Sequence, residues 1–206
     1  MNEKPTLDEI ACRETVPALW TDKRSPKEGF ICHDYLKIYE REWSKWRDQP
    51  IRMMEIGLNK GASIKLWLEY FTQATIYGID IEEFKDGVGI PDQSRFQFRQ
   101  GDQMDPYFWE RLKETDPGDF DIIIDDGCHF SGPIIVAFNS LWGRVKPGGY
   151  YVIEDITEAR NVESHTPGFP TQVEFVQTFI PQVVFALNDI EEMFVSKDMC
   201  MLRKRL

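Results

Sequence analysis

Met54-Glu55-Ile56-Gly57-Leu58-Asn59-Lys60-Gly61-Ala62-Ser63 reads as the end of a buried strand, a glycine turn and the first turn of a helix. The apolar run Ile51 to Ile56 leads into it, and a segment of helical period, Ala62 to Phe71, follows. Glycines at such a junction let the backbone turn sharply and approach a ligand closely, where the helix start offers unpaired N–H groups. The two glycines stand four residues apart, so the run lacks the tighter triple-glycine pattern of a dinucleotide cradle.

The same alternation repeats along the chain. Further short apolar runs, Thr75 to Ile79, Phe96 to Arg99, Asp121 to Ile124 and Gly149 to Ile153, predict strands buried on both faces of a parallel sheet. Pro106 to Glu114 and Gly132 to Val145 predict helices, the second closed by Lys146-Pro147-Gly148-Gly149. Thr157 to Pro170, with two prolines and a glycine, reads as a long loop over one edge, of the kind that covers or admits a substrate. Thr171 to Asn188 reads as helical, interrupted by Pro181, and Ile190 to Val195 with Met199 to Arg203 reads as a closing hairpin around Ser196-Lys197-Asp198. The expected class is α/β, with a mostly parallel seven-stranded sheet and a C-terminal antiparallel hairpin. Residues 1–46, including a helix from Asp34 to Trp46, are expected to pack as a cap on a domain formed by residues 47–206.

A chain of 206 residues is long enough for one core without staples. The four cysteines, Cys12, Cys32, Cys128 and Cys200, form no CxxC pair, which predicts neither a disulfide framework nor a zinc ribbon and fits a reducing cytoplasm. No apolar run approaches the ~20 residues of a membrane span, and no signal peptide opens the sequence. With 35 acidic and 24 basic residues the net charge of −11 disfavours nucleic acid and anionic membranes as partners and leaves a small molecule. Self-association of the chain stays open.

The opening run resembles motif I of class I methyltransferases: an acid, then one glycine and a second. That resemblance implies the Rossmann-like methyltransferase sandwich and S-adenosylmethionine (SAM) as cofactor. It places Glu55 under the methionine amino group, Gly57 and Gly61 along the cofactor, and Ser63 at the helix start. Asp80, 23 residues after Gly57 at the end of the second strand, stands where an acid can take both ribose hydroxyls. Gly101-Asp102 matches the place where these enzymes contact adenine.

The fourth strand ends Asp125-Asp126-Gly127-Cys128-His129 and the fifth ends Glu154-Asp155. Four carboxylates at the carboxyl ends of neighbouring strands repel one another unless a divalent cation is shared among them, and oxygen ligands suit Mg²⁺ or Mn²⁺. The pattern resembles the metal-dependent sugar and macrolide O-methyltransferases of antibiotic tailoring, and the cephalosporin-pathway methyltransferases. By that resemblance Asp126, Glu154 and Asp155 bind the metal and His129 is the general base. Asp22-Lys23 and His33-Asp34-Tyr35 match the family loosely. An alcohol pKa near ~15 lies far from a histidine's ~6.5, so metal and base are expected to work together. The implied acceptor is a hydroxyl of a sugar or glycosylated natural product; a catechol or phenol acceptor, or a non-catalytic SAM-binding protein, are the alternatives. His33 and His165 are given no chemistry, and Trp20 and Trp67 are candidates to flank a pocket.

Overall fold

In a computed structural model, β1 (Arg52–Ile56), β2 (Thr75–Asp80), β3 (Phe96–Gln100), β4 (Phe120–Asp125), β5 (Val145–Glu154), β6 (Ile190–Val195) and β7 (Met199–Lys204) form one sheet. Their order is β3-β2-β1-β4-β5-β7-β6, with β1 to β5 parallel and β7 antiparallel to both β5 and β6. The structure describes residues 4–13, 21–26, 32–86, 89–156, 165–196 and 198–206. Trp20, Lys197 of the hairpin turn and residues 157–164 of the expected loop lie outside that set.

The continuous apolar runs became strands because helices cover both faces. On β4, Ile122 and Ile124 point into one core and Ile123 into the other. The first core is closed by α1 (Leu7–Ala11), α2 (Leu36–Trp43) and α3 (Ala62–Tyr70), whose Leu7, Leu36, Tyr39, Trp43 and Trp67 are fully buried. Tyr39 stacks on Trp43 at 4.2 Å between centroids, and Trp67 meets Trp43 edge-on at 6.1 Å. The second core is closed by α4 (Pro106–Thr115), α5 (Ser131–Leu141), α6 (Gln172–Gln177) and α7 (Phe179–Val184). No helix among the described residues is long and apolar enough to cross a membrane.

Three elements differ from the sequence reading. Val145 opens β5 instead of ending a helix: α5 tightens into a 3-10 turn at Trp142–Arg144, and Lys146-Pro147-Gly148-Gly149 bulges out of the pairing with β4 between Phe120 and Ile122. The helical stretch after residue 170 breaks at Thr178, not at Pro181. Pro181 is the third residue of α7, where a missing N–H leaves no intrahelical bond unmade. The helix expected from Asp34 begins at Leu36, because Asp34 has a left-handed φ of 62°. Its α-helical part ends at Trp43, and Ser44–Trp46 continues as a 3-10 turn.

Residues 21–26 and 32–36 are tied to each other by His33 N to Asp22 O at 2.8 Å and Leu36 N to Lys23 O at 3.1 Å. Glu40 on α2 then clamps the neighbouring helices, accepting from Leu7 N at 2.7 Å and from the Tyr70 hydroxyl at 2.8 Å. This stretch carries side chains to the carboxyl ends of β4 and β5.

Candidate active site

The sheet order reverses between β1 and β4, and there the carboxyl ends of β1, β2, β4 and β5 surround a cleft of about 470 Å³. Gly57 forms one wall at φ 84°, its N–H bonded to Ile79 O at 2.8 Å, while Asp126 N reaches Ile56 O at 2.9 Å. A Cβ on Gly57 would stand 2.0 Å from the Asp126 carbonyl oxygen, so the two strand ends can interlock only with glycine here. Gly61, at φ 86°, is the residue before α3; it shapes the turn under the Phe84 ring and is not itself among the cleft residues. Ser63 is in the cleft wall.

Asp80 lines the same cleft. Its two oxygens accept from Leu58 N at 2.8 Å and Glu82 N at 3.0 Å, which fixes the carboxylate while each oxygen keeps a second lone pair. Asp102 is exposed at the cleft edge, accepting from Met104 N at 2.8 Å. Both hold the positions read from the sequence.

Glu55 is different: it is fully buried behind the cleft wall, where Trp67 Nε1 donates to it at 2.9 Å. Beside it lies a buried cation that the sequence marks only through a loose family match. Lys23, 1% exposed, places its ammonium 2.5 Å from Asp126 Oδ2, 2.5 Å from Glu154 Oε2 and 3.3 Å from Glu55 Oε1. Burial alone would lower its pKa, but Asp126, Glu154 and Glu55 outweigh burial and hold it well above the ordinary lysine value. Burial raises all three carboxyls, with Lys23 opposing the rise. The other Glu154 oxygen accepts from the Tyr39 hydroxyl.

Asp155 completes the group. Its Oδ1 accepts from the Tyr35 hydroxyl at 2.7 Å, and its Oδ2 lies 3.6 Å from His129 Nε2. The ligand atoms of Asp126, His129 and Asp155 all fall within 4.8 Å of one another. His129 and Asp155 adopt left-handed φ values of 57° and 56°, strained for non-glycine residues and of the kind that collects at functional sites. The buried Gln172 side chain holds the His129 carbonyl and so pins the strained turn. His33 Nδ1 stands 3.5 Å from Asp155, closer to the group than its sequence position suggested; His165 is exposed.

Asp125, read as half of an acidic pair, turns away from Asp126 into the core. Gln103 Nε2 donates to both of its oxygens, at 2.7 and 2.8 Å, and burial pushes its carboxyl up to about 7. Trp67 packs in the core and flanks no cleft. In the sequence Lys23 and Tyr35 stand only in a loose family match that assigns them no role, and Gln103 and Tyr39 carry no role at the site. The two tyrosines were visible as an i, i+4 pair on one helix face, a signal that reads as packing until the acids beneath them are placed.

No protein-family model matches the chain. It is 35% identical over 180 residues to the mycinamicin VI 2''-O-methyltransferase of Micromonospora griseorubida, covering 84% of this chain and 40% of that protein. Demethylmacrocin O-methyltransferase of Streptomyces fradiae is 33% identical over 173 residues, covering 81% and 39%. The crystal structure of the MycE methyltransferase from the mycinamycin pathway, in complex with Mg and SAH, superimposes with a TM-score of 0.82 at 30% identity, over 98% of this chain and 55% of that one. The chain thus spans about two fifths of these curated relatives and about half of the solved structure. The chain has the Rossmann-like fold of class I methyltransferases, and its homologues are sugar O-methyltransferases of macrolide and polyketide pathways.

Proposed function

We propose that the chain moves the methyl group of SAM to a hydroxyl of a sugar or glycosylated small molecule, assisted by Mg²⁺ or Mn²⁺. The observation that carries this reading is that Asp126, His129 and Asp155 line the same cleft as Gly57, Asp80 and Asp102. Cofactor residues and acid-base residues therefore face one volume. The relatives' names, and the Mg and SAH named with MycE, support it.

The donors fit a hard divalent cation. Asp126 and Asp155 would hold it, with Glu154 reaching it through lone pairs that Lys23 and Tyr39 leave free, since each carboxylate oxygen has two. When bound, such a cation polarises an acceptor hydroxyl and lowers its pKa. His129 Nε2 takes the hydroxyl proton, and Asp155, 3.6 Å away, stabilises the imidazolium that results. Gly57 and Asp80 hold the nucleoside end of SAM so that the methyl group faces that oxygen. The cofactor amino group is served by Glu55 only from behind the wall, with Ser63 and Lys23 in between.

Calorimetry should show SAM and S-adenosylhomocysteine binding and no NAD binding. Asp80→Ala should weaken SAM by roughly 10- to 100-fold, since losing a charged hydrogen-bond partner costs about 1.5–3 kcal/mol. A change within about twofold would remove Asp80 from the ribose site. The decisive assay offers labelled SAM with a panel of glycosides, catechols and small acids. Turnover should vanish with EDTA and return with Mg²⁺ or Mn²⁺; full activity after exhaustive chelation would take the metal out of the reaction, and labelling confined to catechols would take the sugar out of it.

A further inference from the structure

The buried ammonium of Lys23 is unusual in its company. It lies 103 residues before Asp126 and 131 before Glu154, and it touches Glu55 of β1, Asp126 just past β4 and Glu154 of β5. Two of those acids, Asp126 and Glu154, are ones assigned above to the metal, so this inference rests on that reading. Glu55, Asp126, Glu154 and Asp155 place four carboxyl groups in one small volume, where burial disfavours the ionised forms of the first three unless a cation is near. One ammonium at 2.5, 2.5 and 3.3 Å from three of them offsets part of the repulsion before any ion arrives. Tyr35 and Tyr39 add hydrogen bonds to Asp155 and Glu154 but no charge.

We propose that Lys23 is the resident cation of the site: it holds Asp126 and Glu154 together in the metal-free protein and weakens divalent-ion binding by competing for their charge. The carboxylates that accept from the ammonium are ones assigned above to the ion, so the two cations stand one carboxylate apart. Like charges so placed repel strongly even at an effective dielectric near ~20. Lys23 is therefore a positioning residue that trades metal affinity for a preformed site. A purely structural lysine would stabilise the fold and leave the affinity of the folded site unchanged.

The test is Mn²⁺ calorimetry, without acceptor, on the full chain and on Lys23→Met and Lys23→Gln, paired with thermal melts in the presence and absence of Mn²⁺. Glutamine keeps a hydrogen-bond donor and removes only the charge, so it serves if the methionine variant does not fold. The expected result is Mn²⁺ binding about tenfold or more tighter in the variants, from the loss of one nearby unit charge. Metal-free melting should fall and added Mn²⁺ should restore most of the loss. Unchanged or weaker Mn²⁺ affinity in a folded variant, with normal binding in the unaltered protein, overturns the role of Lys23 and leaves the metal reading intact. Variants that stay unfolded even with Mn²⁺ overturn it too, because the ion then cannot take the lysine's place. Failure of every form to bind Mn²⁺ overturns both.

Discussion

His129→Ala is expected to lower kcat by about 10²- to 10⁴-fold, the usual contribution of a positioned general base. The residue has the right neighbours for the task. Its Nε2 lies 3.6 Å from Asp155, the ring is about a third exposed toward the cleft, and a left-handed backbone pinned by Gln172 aims it there. Because, among the described residues, no hydrogen bond from its ring supports the core, SAM affinity and melting temperature should stay near those of the unaltered protein. The paired measurement is single-turnover methyl transfer at saturating metal together with SAM calorimetry. Near-normal kcat in a variant that still binds SAM would return His129 to a packing role and direct attention to His33, which also stands beside Asp155.

A second large effect is expected at Gly57, this time on stability. Alanine would have to sit at φ 84° and put its Cβ 2.0 Å from the Asp126 carbonyl oxygen, an atom fixed by the adjoining strand. The left-handed conformation alone costs roughly 1–2 kcal/mol. The clash cannot be relieved without parting β1 from β4, which puts the total on the order of 4 kcal/mol or more. For a chain of this length that corresponds to a fall in Tm of about 10 °C. Gly143→Ala is the control, since a Cβ there meets nothing within 4 Å. Equal melting of the two variants would show that the strand ends can give way.

The strands and the cleft were legible because the information was local. The inner parallel strands β1, β2 and β4 are buried on both faces, so each reads as an apolar run with acids at its end. β3, expected to be buried as well, is the edge strand and none of its residues is buried, because no strand pairs beyond it. That is why Asp80, Asp126 and Asp155 fall where the sequence places them. Boundaries set by tertiary contact were not legible. The Lys146-Pro147-Gly148-Gly149 stretch has turn chemistry yet joins β5 as a bulge, held by pairing with β4 that sequence cannot show. Thr6 and Glu9 do carry a capping-box spacing, but α1 is only five residues long and has too little period to announce itself. Asp125 and Asp126 are neighbours with opposite fates, one bonded to Gln103 in the core and one to Lys23, because a strand sends alternate side chains to opposite faces. Lys23 was the least legible of all, since nothing within its own segment marks it as buried.

Lys23 lies 131 residues before Glu154, and Tyr35 lies 120 before Asp155. A ribosome adding about 5–20 residues per second leaves that lysine waiting roughly 7 to 26 s for its last partner to be made. The first wall of the cleft to be translated thus waits for its last acid until β5 is made, while β6 and β7, which complete the sheet, are still to come. During that interval the Lys23 side chain lacks its β5 partner, and the length of the wait is set by translation speed across the middle of the message.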